Sequence, residues 1–350
     1  MESYIDHHNV QETSAIQVKK FYETKYTDNK ESVRDECELI FLRTFNNWIK
    51  SCLIDKSAFK LDHQNLSVLD LCCGKGGDLH KYIRNNFKIY VGVDICLPLL
   101  KNAIERIKKM NKMKMKCIFI CKNVNEQYIF ENESLKDYWF DIVSCQFSMH
   151  YHFSSEDNLR VFLKNVSSRL QEGGYFIGTI IDSEILRSKI KKHKSLCFGN
   201  EFYQIKFGEN EFDKKGFYGK KYGFYLEGLI GDKIISNDQK SLIFVEEYLI
   251  DFENFCKVAK EYDLHLREKQ SFNDFYLHNM KSNHYSELYE KTVKSKKNKN
   301  NKQKWEVIDL YQVFRFQKGS PNRNYISYYD SLKNELILDF NPELIVDKVI

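Results

Sequence analysis

Five short apolar runs alternate with helical stretches between Ser67 and Ile181, and few folds accept that rhythm. SVLDL, KIYVGVDI, KCIFICKN, FDIVSCQFSMHY and EGGYFIGTII read as strands, the last entered through a glycine turn. LHKYIRNNF, PLLKNAIERIKKM and NLRVFLKNVSSRL lie among them and read as helices, with Pro98 suited to a first turn. Strands separated by helices do not close as hairpins; they return by crossovers and lie parallel. Runs without polar alternation are buried on both faces, so helices must cover both sides of the sheet. An α/β fold with a parallel sheet is expected over roughly 115 residues.

The flanks have a different texture. CELIFLRTFNNWIKSCLI (Cys37–Ile54) carries apolar residues at 39, 42, 45, 49 and 53, a helical stripe, and a short helix is expected around Ile16–Tyr26. Beyond residue 195, FGNEFYQIKF, GFYGKKYGFYLEG and SLIFVEEYLI are aromatic-rich alternating stretches with Gly turns, suited to antiparallel strands. ENFCKVAKEYDL reads as a helix and VIDLYQVFRF as a last strand. The Lys/Asn run KTVKSKKNKNNKQK (Lys291–Lys304) is expected to be a solvated loop. The resulting plan is an N-terminal extension over 1–36, one enlarged α/β domain over 37–320 with an antiparallel insertion at 195–250, and a tail over 321–350.

Composition narrows the function classes. With 26 Phe and 22 Tyr in 350 residues there is ample core material, and 3 Pro and 15 Gly exclude collagen-like and linker-like chains. A net charge of +5 is small for a protein that coats nucleic acid, although it permits a local anion site. The ten Cys include no CxxC pair, and MESYIDHHNV has neither a basic nor an apolar leader region. Reduced thiols, no secretory leader and no membrane span are therefore expected.

Scarce glycines make their clustering informative, and three sit at Gly74, Gly76 and Gly77 between the first strand and first helix. A Walker loop needs GxxxxGK followed by Ser or Thr, which is absent here. A dinucleotide fingerprint needs GxGxxG, and Cys72 stands in place of its first glycine. Asp70-Leu71-Cys72-Cys73-Gly74-Lys75-Gly76 fits the D-x-G-x-G-x-G spacing of class I S-adenosylmethionine enzymes except at Cys72. Asp94, ending the second strand twenty residues past Gly74, is placed to accept ribose hydroxyls in either an S-adenosylmethionine or an NAD enzyme. The loop alone leaves a methyltransferase and a dehydrogenase both open.

FNNWIKSCLI, LCCGKGGDL, FDIVSCQFSMHY, GGYFIGT and FGNEFYQIKF occur in that order, followed by YLIDFENFCKVAKEYDL and YQVFRFQK. In this the chain resembles the eukaryotic mRNA cap guanine-N7 methyltransferases, over roughly residues 37–280 and 305–318. The resemblance implies a Rossmann-like class I methyltransferase sheet and S-adenosylmethionine as cofactor. It places Lys50 at the methionine carboxylate, Asp70, Cys72, Gly74 and Gly76 in the cofactor loop, and Asp94 and Ile95 at the ribose edge. It further implies Asn123 at the adenine amino group, and Gln146 and Tyr151 beside the methionine and the transferred methyl. For a capped RNA substrate it implies Asn46 and Asn47 as cap contacts, Lys75, Lys81 and Arg106 facing the phosphates, and His150, Glu247 and Tyr311 around the guanine. Cys72, Asn123 (for the usual aspartate) and Glu246 (for a common proline) depart from the pattern.

Guanine N7 has a free lone pair and the sulfonium already activates its methyl, so catalysis by placement is expected, without general base, metal or covalent intermediate. Other readings kept in view are a class I methyltransferase for a small molecule or tRNA, and a non-catalytic cap- or RNA-binding module gripping through Lys291–Lys304. The resemblance also implies a nuclear location, a monomer, and other capping enzymes or the RNA polymerase II machinery as neighbours.

Overall fold

The computed structural model describes residues 19–24, 40–61, 65–110, 114–131, 135–211, 214–236, 239–294, 302–319 and 343–346. Helix α1 (Ile40–Leu61) outruns its expected end at Ile54, because Ala58 and Leu61 continue the buried stripe begun by Phe41, Phe45 and Ile49. Then follow β1 (Ser67–Leu71), α2 (Leu79–Arg84), β2 (Ile89–Asp94), α3 (Leu97–Lys108), β3 (Lys116–Cys121), β4 (Phe140–Gln146), α4 (Glu156–Ser167) and β5 (Leu170–Ile181). Pro98 sits in the first turn of α3, and Ser155 caps α4 by accepting a hydrogen bond from the Asn158 N–H at 3.1 Å.

The second half adds α5 (Ser183–His193), β6 (Cys197–Gly199), β7 (Tyr203–Phe207), β8 (Lys221–Leu226), β9 (Asp232–Ser236), β10 (Gln239–Ile243) and β11 (Val245–Tyr248). It ends with α6 (Phe252–Glu261), β12 (Leu264–Ser271), α7 (Phe272–Asn279), α8 (Asn283–Tyr289), α9 (Lys302–Ile308), β13 (Tyr311–Lys318) and β14 (Glu343–Val346). One eight-stranded sheet runs β12-β13-β5-β4-β1-β2-β3-β14. The β3-β2-β1-β4-β5 centre is parallel, β13 alone runs against its neighbours, and β14 lies parallel to β3. Strand alternation splits the core: Val68 and Tyr90 join the layer of Phe45, Trp48 and Tyr82, while Leu69, Val91 and Val93 join that of Phe162, Phe255 and Phe314. The insertion is a four-stranded antiparallel sheet, β11-β8-β7-β6, with the β9–β10 hairpin beside it. Among the described residues no helix is long and apolar enough to cross a membrane.

Three expectations need correction. FDIVSCQFSMHY is a strand only to Gln146: Phe147 adopts φ +57°, its N–H donates to Thr179 O and Oγ1, and the chain turns into a 3₁₀ segment, Met149–Ser154. VIDLYQVFRF is a strand only from Tyr311, because Val307 and Ile308 end α9. The Lys/Asn run is not wholly loop. Glu290–Lys294 is a π-helical turn, α9 begins at Lys302, and the Lys304 side chain is buried with its Nζ 5.3 Å from the Phe202 ring. Its middle, 295–301, lies outside the described residues. α5, β9, β12, α7, α8 and β14 have no counterpart among the expected elements.

Candidate active site

The carboxyl ends of β1 to β4 surround a cavity of about 560 Å³. The chain leaves β1 through a tight loop held by Gly76 N–H to Cys73 O at 3.0 Å and Cys73 N–H to Val93 O at 3.1 Å. Cys72, Gly74 and Gly76 all have positive φ, at 58°, 54° and 62°. Glycine removes the steric cost of that geometry at two of the three positions; Cys72 bears it. A Cβ on Gly74 would meet nothing within 4 Å, so this backbone faces open space, whereas one on Gly76 would fall 2.4 Å from Leu79 Cδ1.

Asp94 ties the loop to β2. Its Oδ2 accepts the Gly74 N–H at 2.8 Å and its Oδ1 accepts the Cys96 N–H at 2.9 Å. Burial raises its pKa, and the Cys96, Gly74 and Ile95 N–H groups pull it back. Ile95, Asn123 and Tyr151 complete the cavity with Cys72, Gly74 and Lys75. The Asn123 Oδ1 already accepts the Asn125 N–H at 3.1 Å. Burial pushes the Tyr151 hydroxyl well up, so it stays protonated.

A second cavity of about 240 Å³ is lined by Asn46, Asn47 and Lys50 from α1, Phe147 and His150 after β4, Glu247 from β11 and Tyr311 from β13. Glu247 is 1% exposed, and burial raises its pKa to about 8; Tyr222 donates to its Oε2 at 2.6 Å. Burial lowers His150 to about 3, so both groups are neutral at pH 7, with His150 Nε2 at 3.6 Å from Glu247 Oε1. Tyr311 stacks on Phe272 with centroids 5.4 Å apart and meets Phe147 edge-on at 5.2 Å. His150 and Tyr151 are chain neighbours with ring centroids 4.1 Å apart, one lining each cavity, so the two spaces share a wall.

Not every candidate residue reaches a cavity. Asp78, which the sequence reading overlooked, binds Lys50 Nζ at 2.8 Å and Lys81 Nζ at 2.7 Å. Burial alone would raise Asp78, but the two ammonium groups hold its carboxyl well below the usual range. Lys81 is buried and also donates to Asn47 Oδ1 at 3.1 Å, lining neither cavity. Arg106 Nη1 donates to Gly76 O at 3.2 Å, behind the loop. Asp70 lies under the loop, accepting from the Tyr90 hydroxyl at 2.8 Å, and burial with the nearby Asp78 charge brings its pKa to about 7. Gln146 lines neither cavity; its Nε2 donates to Ser144 Oγ at 3.1 Å, and its buried Oε1 has no hydrogen-bond partner among the described residues. Lys19, Tyr22, Asn125 and His152 also line the first cavity, and Arg43 and Phe147 the second. The glycine-loop spacing at Asp70–Gly76 points to none of these, since they lie in segments remote from it in sequence.

A parallel sheet whose last inner neighbour is reversed, with a glycine loop after β1 and a buried acid ending β2, defines the class I methyltransferase type of α/β protein. Residues 5–319 match the family described as "mRNA (guanine-N(7))-methyltransferase domain", and the chain belongs to that family. It is 33% identical to mRNA cap guanine-N(7) methyltransferase 1 of Oryza sativa subsp. japonica, over 88% of this chain and 83% of that one. It is 35% identical to the mRNA cap guanine-N(7) methyltransferase of Schizosaccharomyces pombe, over 80% and 76%. Against the Cryptococcus neoformans var. neoformans (strain B-3501A) enzyme of the same name, also 35% identical, the match covers 81% of this chain but 39% of the relative.

Proposed function

We propose that this chain transfers the methyl group of S-adenosylmethionine to N7 of the 5′-terminal guanosine cap of mRNA, leaving S-adenosylhomocysteine. The observation that carries this reading is the pair of cavities meeting at His150 and Tyr151: one side suits a nucleoside cofactor, the other a purine. Bound in the first cavity, S-adenosylmethionine supplies a methyl already activated on a sulfonium. The residues fit that group. The open side of Gly74 gives it room, and the Asp94 carboxyl on the same wall suits ribose hydroxyls. Lys50, which lines the second cavity beside the shared wall, presents a cation to the amino-acid end, with Asp78 fixing its position.

On the guanine side, Glu247 accepts hydrogen bonds from N1–H and the 2-amino group, an edge adenine does not offer. Tyr222 holds one oxygen of that carboxyl, and Tyr311 supplies a stacking face. Burial keeps His150 neutral, so it adds no positive charge against the one that moves from sulfur to the purine, and Lys50 on the same wall is paired with Asp78. No side chain needs to take a proton; alignment of N7 with the methyl is the chain's contribution, worth roughly 7–11 kcal/mol in well-oriented systems. Of the three expected phosphate cations, Lys75 lines a cavity, the first one, on the cofactor side. The same reading makes the protein an RNA-binding nuclear monomer that works beside other capping enzymes or the RNA polymerase II machinery, supported by its family membership. Radiolabel transfer to capped and uncapped RNA tests it: label on the capped species alone is expected, and no transfer to capped RNA overturns it.

A further inference from the structure

Three side chains converge at the floor of the larger cavity, and the methyl-transfer reading assigns no chemistry to their sulfur and nitrogen atoms. Cys72 follows β1 in the left-handed conformation already noted, Cys145 is fully buried in β4, and His152 is 1% exposed in the 3₁₀ segment. Two thiol sulfurs and a ring nitrogen lie within 4.8 Å of one another. His152 Nε2 is 3.8 Å from Cys145 Sγ, while its Nδ1 meets Asn125 Oδ1 and its ring stacks on Phe162 at 3.6 Å between centroids. The Asn125 amide nitrogen donates to Tyr151 O at 3.3 Å, which fixes its oxygen as the atom facing His152. An amide oxygen only accepts, so Nδ1 carries the proton and Nε2 keeps its lone pair on the thiol side.

An outer polar group that fixes the tautomer and turns the far nitrogen inward is how metal-binding histidines are held. Two thiols and an imidazole form a soft donor set, suited to Zn²⁺ and unsuited to Mg²⁺ or Ca²⁺. Tetrahedral Zn–S bonds of about 2.3 Å place sulfurs about 3.8 Å apart, so the cluster needs to contract by about 1 Å or less. We propose that Cys72, Cys145 and His152 bind one Zn²⁺, leaving a fourth position open to the cavity, and that the bound ion excludes the methyl donor. Binding releases the two thiol protons to solvent, so affinity rises with pH. Exclusion follows because Cys72 and His152 line the same space as Gly74, Asp94 and Tyr151. That second half rests on the methyl-donor reading; the site itself does not.

The test titrates the chelator-stripped full chain with Co²⁺, following thiolate-to-cobalt charge-transfer absorption, and with Zn²⁺ against a chromophoric chelator. One equivalent with a thiolate band is expected, with Zn²⁺ affinity at least about tenfold weaker in Cys145→Ser and in Cys72→Gly. Cys197→Ser, which alters an exposed thiol, should change nothing. No thiolate band in the unaltered protein, or Zn²⁺ affinity in both site variants equal to that of the unaltered protein, overturns the site. Calorimetry of S-adenosylmethionine with and without one equivalent of Zn²⁺ then tests exclusion. At least a tenfold loss supports it, and unchanged affinity overturns it. Failure of the metal-free protein to bind the donor strikes the methyl-donor reading and the exclusion, but not the site.

Discussion

The two cavities are built by opposite means. The larger one rests on backbone: a loop with positive φ, one carboxylate holding two N–H groups, and the ends of adjacent parallel strands. The smaller one is made of side chains from α1, the turn after β4, β11 and β13, held in register only by the tertiary fold. Backbone recognition suits a cofactor shared by many enzymes. A side-chain pocket with a buried, neutral acid and histidine suits discrimination of one base.

Glu247→Ala should separate the two most sharply. Leaving two guanine N–H donors buried and unpaired at about 1–3 kcal/mol each predicts a fall of about 30- to 10⁴-fold in kcat/KM on GpppG, with donor affinity held within about twofold. Equal loss of both would merge the cavities into one functional unit. Asp94→Ala should do the reverse, weakening donor affinity about 10–100-fold by calorimetry while cap binding in the donor's absence stays unchanged. A smaller effect is expected from Gly76→Ala, which forces a Cβ against Leu79 at φ +62°. It should lower stability by about 1–3 kcal/mol in denaturant titration, and a neutral result would remove the loop's steric constraint.

The smallest effect concerns pH. Glu247 titrates near 4.5 when unfolded and near 8 when folded, so the folded state disfavours its ionised form. The stability this group contributes is complete below about 4.5 and lost as pH rises through about 8. Glu247→Gln should therefore gain on the unaltered protein in melting temperature between pH 5 and 8, by on the order of a few degrees. A constant difference across that range would mean the carboxyl is ionised throughout.

The larger cavity was legible because its elements are contiguous. Residues 67–95 read in order as strand, loop, helix, strand and acid, and a local pattern suffices for that. Asn46, His150, Glu247 and Tyr311 carry no local pattern, and the resemblance alone grouped them. Lys81 and Arg106 show the limit of reading charge as ligand contact: one is enclosed by Asp78 and Asn47, the other holds a loop carbonyl. Asp78 was overlooked because a carboxylate directly after a glycine loop looks like an ordinary helix cap, and its Lys50 partner lies 28 positions away. The end of the fourth strand was misplaced because its apolar run continues past Gln146, and nothing in the composition of Phe147 signals a left-handed residue.

β14 has a consequence for how the molecule meets its neighbours. It comes from beyond residue 319, where the family match ends, and lies along the outer side of β3 with Glu343 3.0 Å from Lys116. The margin of a sheet is a template on which a strand from any chain can assemble. Here the chain supplies that strand itself, so the margin beside the cofactor strands is already occupied by its own sequence. Ending the chain at residue 319 should expose the donors and acceptors of β3 and raise concentration-dependent self-association in light scattering, with the chemistry of both cavities intact.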